Sequence, residues 1–113
     1  MKQVFDYLEN VDFAATVCDN EGIVVYQNAI SRNNEGDVVG RNLYNCHGAK
    51  SGEKIRHMIE TGENNTYAII KHGKHFLIRH SPWYEEVGGK VAGLIELSIP
   101  VPDEYPTFDR DKK

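Results

Sequence analysis

At 113 residues, with 40% hydrophobic and 27% charged side chains, the chain has the size and composition of one globular domain. A formal net charge of -4 with no basic stripe argues against nucleic-acid binding, which needs Lys and Arg to meet phosphates. No apolar run approaches the ~20 residues that span a bilayer, and Asp6 stands where a signal peptide has its apolar stretch. A cytoplasmic, membrane-free location is therefore expected, with Cys18 and Cys46 as reduced thiols.

Residues 2–11 read as an amphipathic helix. Val4, Leu8 and Val11 form one stripe flanked by Phe5 and Tyr7. That stripe needs a partner surface, either the edge of its own sheet or the same helix of a second copy. Residues 13–18 and 23–27 are β-rich and flank the four residues Asp19, Asn20, Glu21 and Gly22. An Asp carboxylate can accept from backbone N–H groups two residues on, and Gly takes the left-handed conformation that closes a hairpin. Residues 28–37 are polar and broken by Gly36, supporting only short helical turns. Residues 37–45 read as a turn-rich connection with Gly40 left-handed.

The sequence predicts a helix over 51–61, with Ser51 as N-cap, Gly62 as C-cap and Ile55, Met58 and Ile59 as its apolar face. His57 falls about 200° from Ile55 around that helix and faces away from the core. A three-stranded meander follows: 66–71, a turn at His72 and Gly73, then 74–84, a turn carrying Gly88 and Gly89, and 91–99. In the last strand Val91, Gly93, Ile95, Leu97 and Ile99 share one face, and Ala92, Leu94, Glu96 and Ser98 the other. Pro100, Pro102 and Pro106 make the rest an extended tail. The expected fold class is α+β: a five-stranded antiparallel sheet with helices on one face and an N-terminal amphipathic helix. Its domain spans 1–100, with the helix at 1–11 and the tail at 101–113.

The Asp-x-x-Gly-Ile hairpin, Asn28-Ala29 after its second strand, Val39-Gly40-Arg41-Asn42-Leu43, and the Gly88-Gly89-Lys90-Val91-Ala92-Gly93 approach to the last strand together resemble the PAS sensor domain. The likeness covers about residues 3–100. Asn42-Leu43-Tyr44-Asn45-Cys46-His47, Glu53-Lys54-Ile55 and Phe76-Leu77-Ile78-Arg79 are similar to the branch found in prokaryotic proteins that also carry hemerythrin-like domains. The segment between Asn28 and Val39 is shorter than in many PAS domains. The resemblance implies a non-enzymatic signalling module, probing a small ligand or a partner protein in its core pocket and forming a homodimer. Two alternatives stand beside it: a haem-binding redox or gas sensor, and a ligand-free homodimerisation domain.

Candidate ligand-binding residues are Cys46, His47, Ile55, Ile59, Ile78, Arg79, His80 and Ile95, with Val17, Val25, Leu43, Ile69 and Leu97 as further core-lining positions. His47 is the haem-ligand candidate, because some PAS domains hold haem through a histidine and His57 faces outward. Arg79 needs a carboxylate partner or an anionic ligand, and Glu96 is the candidate partner. His80, on the alternate face, is placed to read a polar ligand group or to be satisfied by the backbone. His47, His57, His72, His75 and His80 show no metal-ligand spacing, so no metal is expected. Asn45-Cys46 shares only its first two residues with the flavin-binding light-sensor motif. Adjacent Cys46 and His47 make a poor nucleophile pair, and no catalytic residue is assigned.

Overall fold

The structure, a computed structural model, describes residues 4–43 and 48–112. Its order is α1 (Val4–Leu8), β1 (Ala14–Asp19), β2 (Val24–Gln27), α2 (Ala29–Glu35), α3 (Gly48–Thr61), β3 (Asn65–Lys71), β4 (Lys74–Tyr84) and β5 (Val91–Val101). The β1–β2 turn closes as its chemistry dictates. Asp19 Oδ1 accepts from the N–H groups of Glu21 (2.9 Å) and Ile23 (3.0 Å), and Gly22 takes a φ of +82°. The β3–β4 hairpin turns on His72 and Gly73, both at positive φ. The five strands form one sheet in the order β2-β1-β5-β4-β3, every pairing antiparallel. This is the α+β architecture expected from the sequence.

Strand alternation gives the sheet two unlike faces. Cys18, Leu94, Ile78 and His80 face α2 and α3, where Cys18 and Leu94 pack with Ile55 and Met58 of α3 and with the half-buried Leu43 and Ile59. Val17, Ile95, Leu97, Leu77 and Arg79 belong to the other face. Trp83 also lies there, and its indole N–H donates to the Cys18 carbonyl at 3.0 Å. Gly93 makes that approach possible, because a Cβ at position 93 would collide with both the Cys18 carbonyl and Trp83 Nε1.

Three local expectations change. Residues 28–37 hold a two-turn helix, because Asn28 caps it and the Gly36 N–H closes it on the Arg32 carbonyl. Helix α3 already runs at Gly48, so Ser51 lies within it and is not its N-cap, whereas the Gly62 N–H does close its end on the Met58 carbonyl. The N-terminal helix is one short turn-and-a-half, Val4–Leu8, set against the edge of its own sheet with the Phe5 ring stacked on Tyr26 (centroids 4.3 Å, 7° between planes).

Asn28 ties these pieces together and is fully buried. Its Oδ1 accepts from Ala15 N (3.0 Å) and Ser31 N (3.1 Å), and its Nδ2 donates to the carbonyls of Leu8 (3.0 Å) and Phe13 (2.8 Å). Arg32, one turn into α2, donates to Glu9 Oε2 at 2.8 Å and to the Gln27 carbonyl. Asn28→Ala leaves several buried backbone groups unpaired and is expected to cost about 3 kcal/mol, read as a lower urea midpoint at unchanged slope. The hydrogen bond from Arg32 holds the Glu9 carboxyl below its ordinary value of 4.5. A lowered carboxyl pKa stabilises the fold above the ordinary value, and the gain fades as pH falls through the lowered one. The stability gap between the native chain and Glu9→Gln should therefore be largest at neutral pH and close under acid, as measured by urea melts across pH.

Candidate functional site

Between the sheet and its helices lies a cavity of about 470 Å³. The strands supply Thr16, Cys18, Gln27, His80, Leu94 and Glu96, and Ile55 of α3 closes it beside Leu43 and Val38. Glu35 and Arg41, both exposed, stand among its outer residues. A second, smaller cavity of about 290 Å³ shares Ile55, His80 and Glu96 with the first and adds Lys54, Met58, Asn65 and Tyr67. His80 and Glu96 are thus the polar wall common to both.

These two residues meet at 2.7 Å, His80 Nε2 to Glu96 Oε2, with the His80 side chain only 9% exposed. The other ring nitrogen, Nδ1, is buried and has no hydrogen-bond partner among the described residues. The Tyr67 ring is tilted against the imidazole, with centroids 6.0 Å apart, and burial followed by the Glu96 charge pushes its phenol pKa up. The expected Arg79–Glu96 pair does not form. Arg79 donates to Thr66 Oγ1 at 2.7 Å on the opposite face. The cause is a bulge: Tyr84 pairs with Val91 but Trp83 pairs with Gly93, leaving Ala92 as an extra residue. Continued without it, the Tyr84–Val91 register would set Arg79 opposite Glu96. The extra residue advances β5 by one and brings His80 there instead.

Of the sequence candidates, Ile55, His80 and Leu43 line the cavity, and Ile59 packs on the core beneath it. Ile78 is buried two residues along the strand from His80. Val17, Ile95 and Leu97 stand on the other face by strand alternation, and Val25, the unpaired residue of the β1–β2 bulge, is exposed. Cys46 and His47 lie outside the described residues. His57 is exposed and pairs with Glu63 at 3.1 Å. Among the lining residues that sequence reading missed, beside Cys18, Val38, Leu94 and the outer Glu35 and Arg41, are Thr16, Gln27 and Glu96 in its role beside His80. Thr16 and Glu96 are cross-strand partners, and Gln27 pairs with Thr16 from the other side, so a polar row crosses the sheet under the helices. Only the registers reveal it.

Gln27 is buried and its amide is fully engaged. Nε2 donates to Ser31 Oγ and the Gly36 carbonyl, both at 3.0 Å, and Oε1 accepts from Val38 N at 2.8 Å. Thr16 Oγ1 lies 2.6 Å from Ser31 Oγ. The cavity wall is thereby continuous with α2, and through Asn28 with α1. Among the described residues there is no cluster of three or more metal-ligating side chains, and no helix is long and apolar enough to cross a membrane.

No known protein family matches the sequence, and no curated protein does. Solved structures do match in fold. VqmA of Vibrio cholerae, described as a dimer with a target DNA and as a LuxR-type receptor, aligns at a TM-score of 0.68 and 20% identity over 88% of this chain and 50% of its own. A second VqmA structure, bound to DPO, aligns at 0.68 and 19% over 86% of this chain and 56% of that one. The chain thus spans about half the length of these proteins. The PAS domain of histidine kinase ThkA aligns at 0.64 and 21% over 79% of this chain and 99% of that domain. These likenesses place the chain in the PAS-like α+β fold.

Cys18 sits on the cavity wall, and burial pushes its thiol up to about 11. At pH 8 roughly one such thiol in a thousand is ionised, and only the thiolate attacks. In a Cys46→Ser background, Cys18 is expected to resist iodoacetamide for hours in the native state and to react promptly in urea, followed by mass spectrometry.

Proposed function

We propose that this domain is a non-enzymatic signalling sensor whose cavity binds a small molecule and reports occupancy through α1. The observation that carries this reading is the cavity of about 470 Å³, which falls in the size range of ligand sites. Its polar wall leads, bond by bond, to the N-terminal helix. A ligand that displaces Gln27 or Thr16 shifts Ser31, and through Asn28 the carbonyl of Leu8 at the end of α1. Differential binding to two poses of α1 is all that such a switch requires. The same fold in VqmA bound to DPO supports a small-molecule ligand, although this chain covers only 56% of that one. A homodimer in the cytoplasm, as the sequence led us to expect, belongs to the same proposal. So does membership of the branch that accompanies hemerythrin-like domains.

Haem is the second reading, favoured by the fold shared with the Aer2 receptor of Vibrio cholerae, described as a dual PAS-heme oxygen sensor (TM-score 0.58, 19% identity over 80% of this chain). Two measurements separate the readings. A thermal-shift screen of small metabolites should find a compound that, at a hundred times its Kd, adds about 2.7 kcal/mol of stability and changes amide exchange in α1. Leu43→Trp, which fills the cavity, should abolish both effects. Stabilisation that persists in Leu43→Trp overturns the cavity as the site. A Soret band after adding haemin, lost in His47→Ala, would decide for haem.

A further inference from the structure

We propose that the cavity selects a small neutral ligand bearing an O–H or N–H donor, which His80 Nδ1 accepts while Glu96 holds the ring's other nitrogen protonated. The inference rests on the reading of the cavity as a small-molecule site and specifies its chemistry. A carboxylate can only accept a hydrogen bond, so the 2.7 Å contact between His80 Nε2 and Glu96 Oε2 places a proton on Nε2. In the neutral ring that leaves Nδ1 with a bare lone pair. This atom is buried, on a side chain only 9% exposed, and no described residue pairs with it. Buried polar atoms without partners are few in native proteins, and each asks for an explanation.

Of the remaining polar groups of the wall, the Gln27 amide and the Thr16 hydroxyl already have partners, whereas the Glu96 carboxylate, bonded to His80 through Oε2, faces the same cavity as a second acceptor. Both N–H groups of the Gln27 amide and its oxygen are bonded to α2 and the following loop, and the Thr16 hydroxyl is held by Ser31. Recognition of a donor therefore falls to the His80–Glu96 pair, with His80 Nδ1 the atom that lacks any partner among the described residues. An anionic ligand would meet the Glu96 carboxylate beside His80 and the Glu35 carboxylate farther out, against the single guanidinium of Arg41. A wholly apolar ligand would leave Nδ1 unpaired. A ligand with an acceptor alone would set two lone pairs against each other. A neutral donor satisfies all three conditions, and the tilted Tyr67 ring offers it an aromatic neighbour beside the imidazole.

Four probes of similar size test this on the full chain by NMR titration: phenol (neutral donor), anisole (acceptor only), toluene (neither) and benzoate (anion). Phenol is expected to bind about tenfold more tightly than anisole or toluene, the worth of one buried hydrogen bond, with benzoate weakest. The ¹⁵N spectrum of the His80 ring in the free protein should show the neutral Nε2–H form, with Nδ1 moving on phenol addition. His80→Phe should erase the preference for phenol while toluene still binds. Should that variant not fold, the ranking on the native chain and the ring spectrum decide alone. Equal binding of phenol, anisole and toluene, or a free ring with Nδ1 protonated, as the Nδ1–H tautomer or as the imidazolium, overturns the donor inference and leaves the cavity as a ligand site. Failure of all four to bind overturns both.

Discussion

A single buried carboxamide governs how this domain is put together. Asn28 uses two donors and both lone pairs of one oxygen, so its side-chain capacity is filled. Each bond goes to a different piece of backbone: the end of α1, the residue before β1, the start of β1 and the first turn of α2. An aspartate has the cap but no donors, and a serine has too short a reach to serve both sides. The direction of α2, the placement of α1 and the start of β1 are therefore one choice. Because α2 then carries Ser31 and Arg32, the same choice sets the bonds that hold Thr16 and Gln27 against the cavity and Glu9 against α2.

Much of the fold is legible in the sequence, because local chemistry decides it. The Asp19–Gly22 turn, the His72–Gly73 turn, the span of β4 and the Gly62 cap all follow from residues within a few positions of one another. The PAS-like sheet follows from their order. The helix starts were harder. Ser51 has the chemistry of an N-cap, yet the helix already runs at Gly48, so a capping preference worth about 1 kcal/mol does not set its start. Residues 28–37 look too polar for more than short helical turns, because the support for their helix comes from bonds to distant groups and from Arg32 bridging to Glu9.

The site was only half legible, and the reason is register. Alternation correctly separates Arg79 from His80 and groups Glu96 with Leu94. Which residue of β4 faces Glu96 depends on one unpaired residue, Ala92, at the start of β5. A one-residue difference there exchanges a half-buried arginine for a buried histidine as the carboxylate's partner, and so changes the character of the pocket. Bulges of this kind leave no compositional trace, and periodicity alone cannot place them.

The strand order carries a consequence for how the chain reaches this state. β5, the last strand made, is the central one, and it alone bridges β1–β2 to β3–β4. Until it is inserted, the two hairpins have no shared hydrogen bonds, and each shows an inner edge that any extended chain could pair with. A ribosome releasing this protein therefore holds an open clamp until residue 101 has emerged. The decisive closure joins segments almost eighty positions apart, such as Val17 and Ile95, which marks the domain as a comparatively slow folder for its size. During that interval a molecular chaperone would find its natural binding sites on the facing edges of β1 and β4.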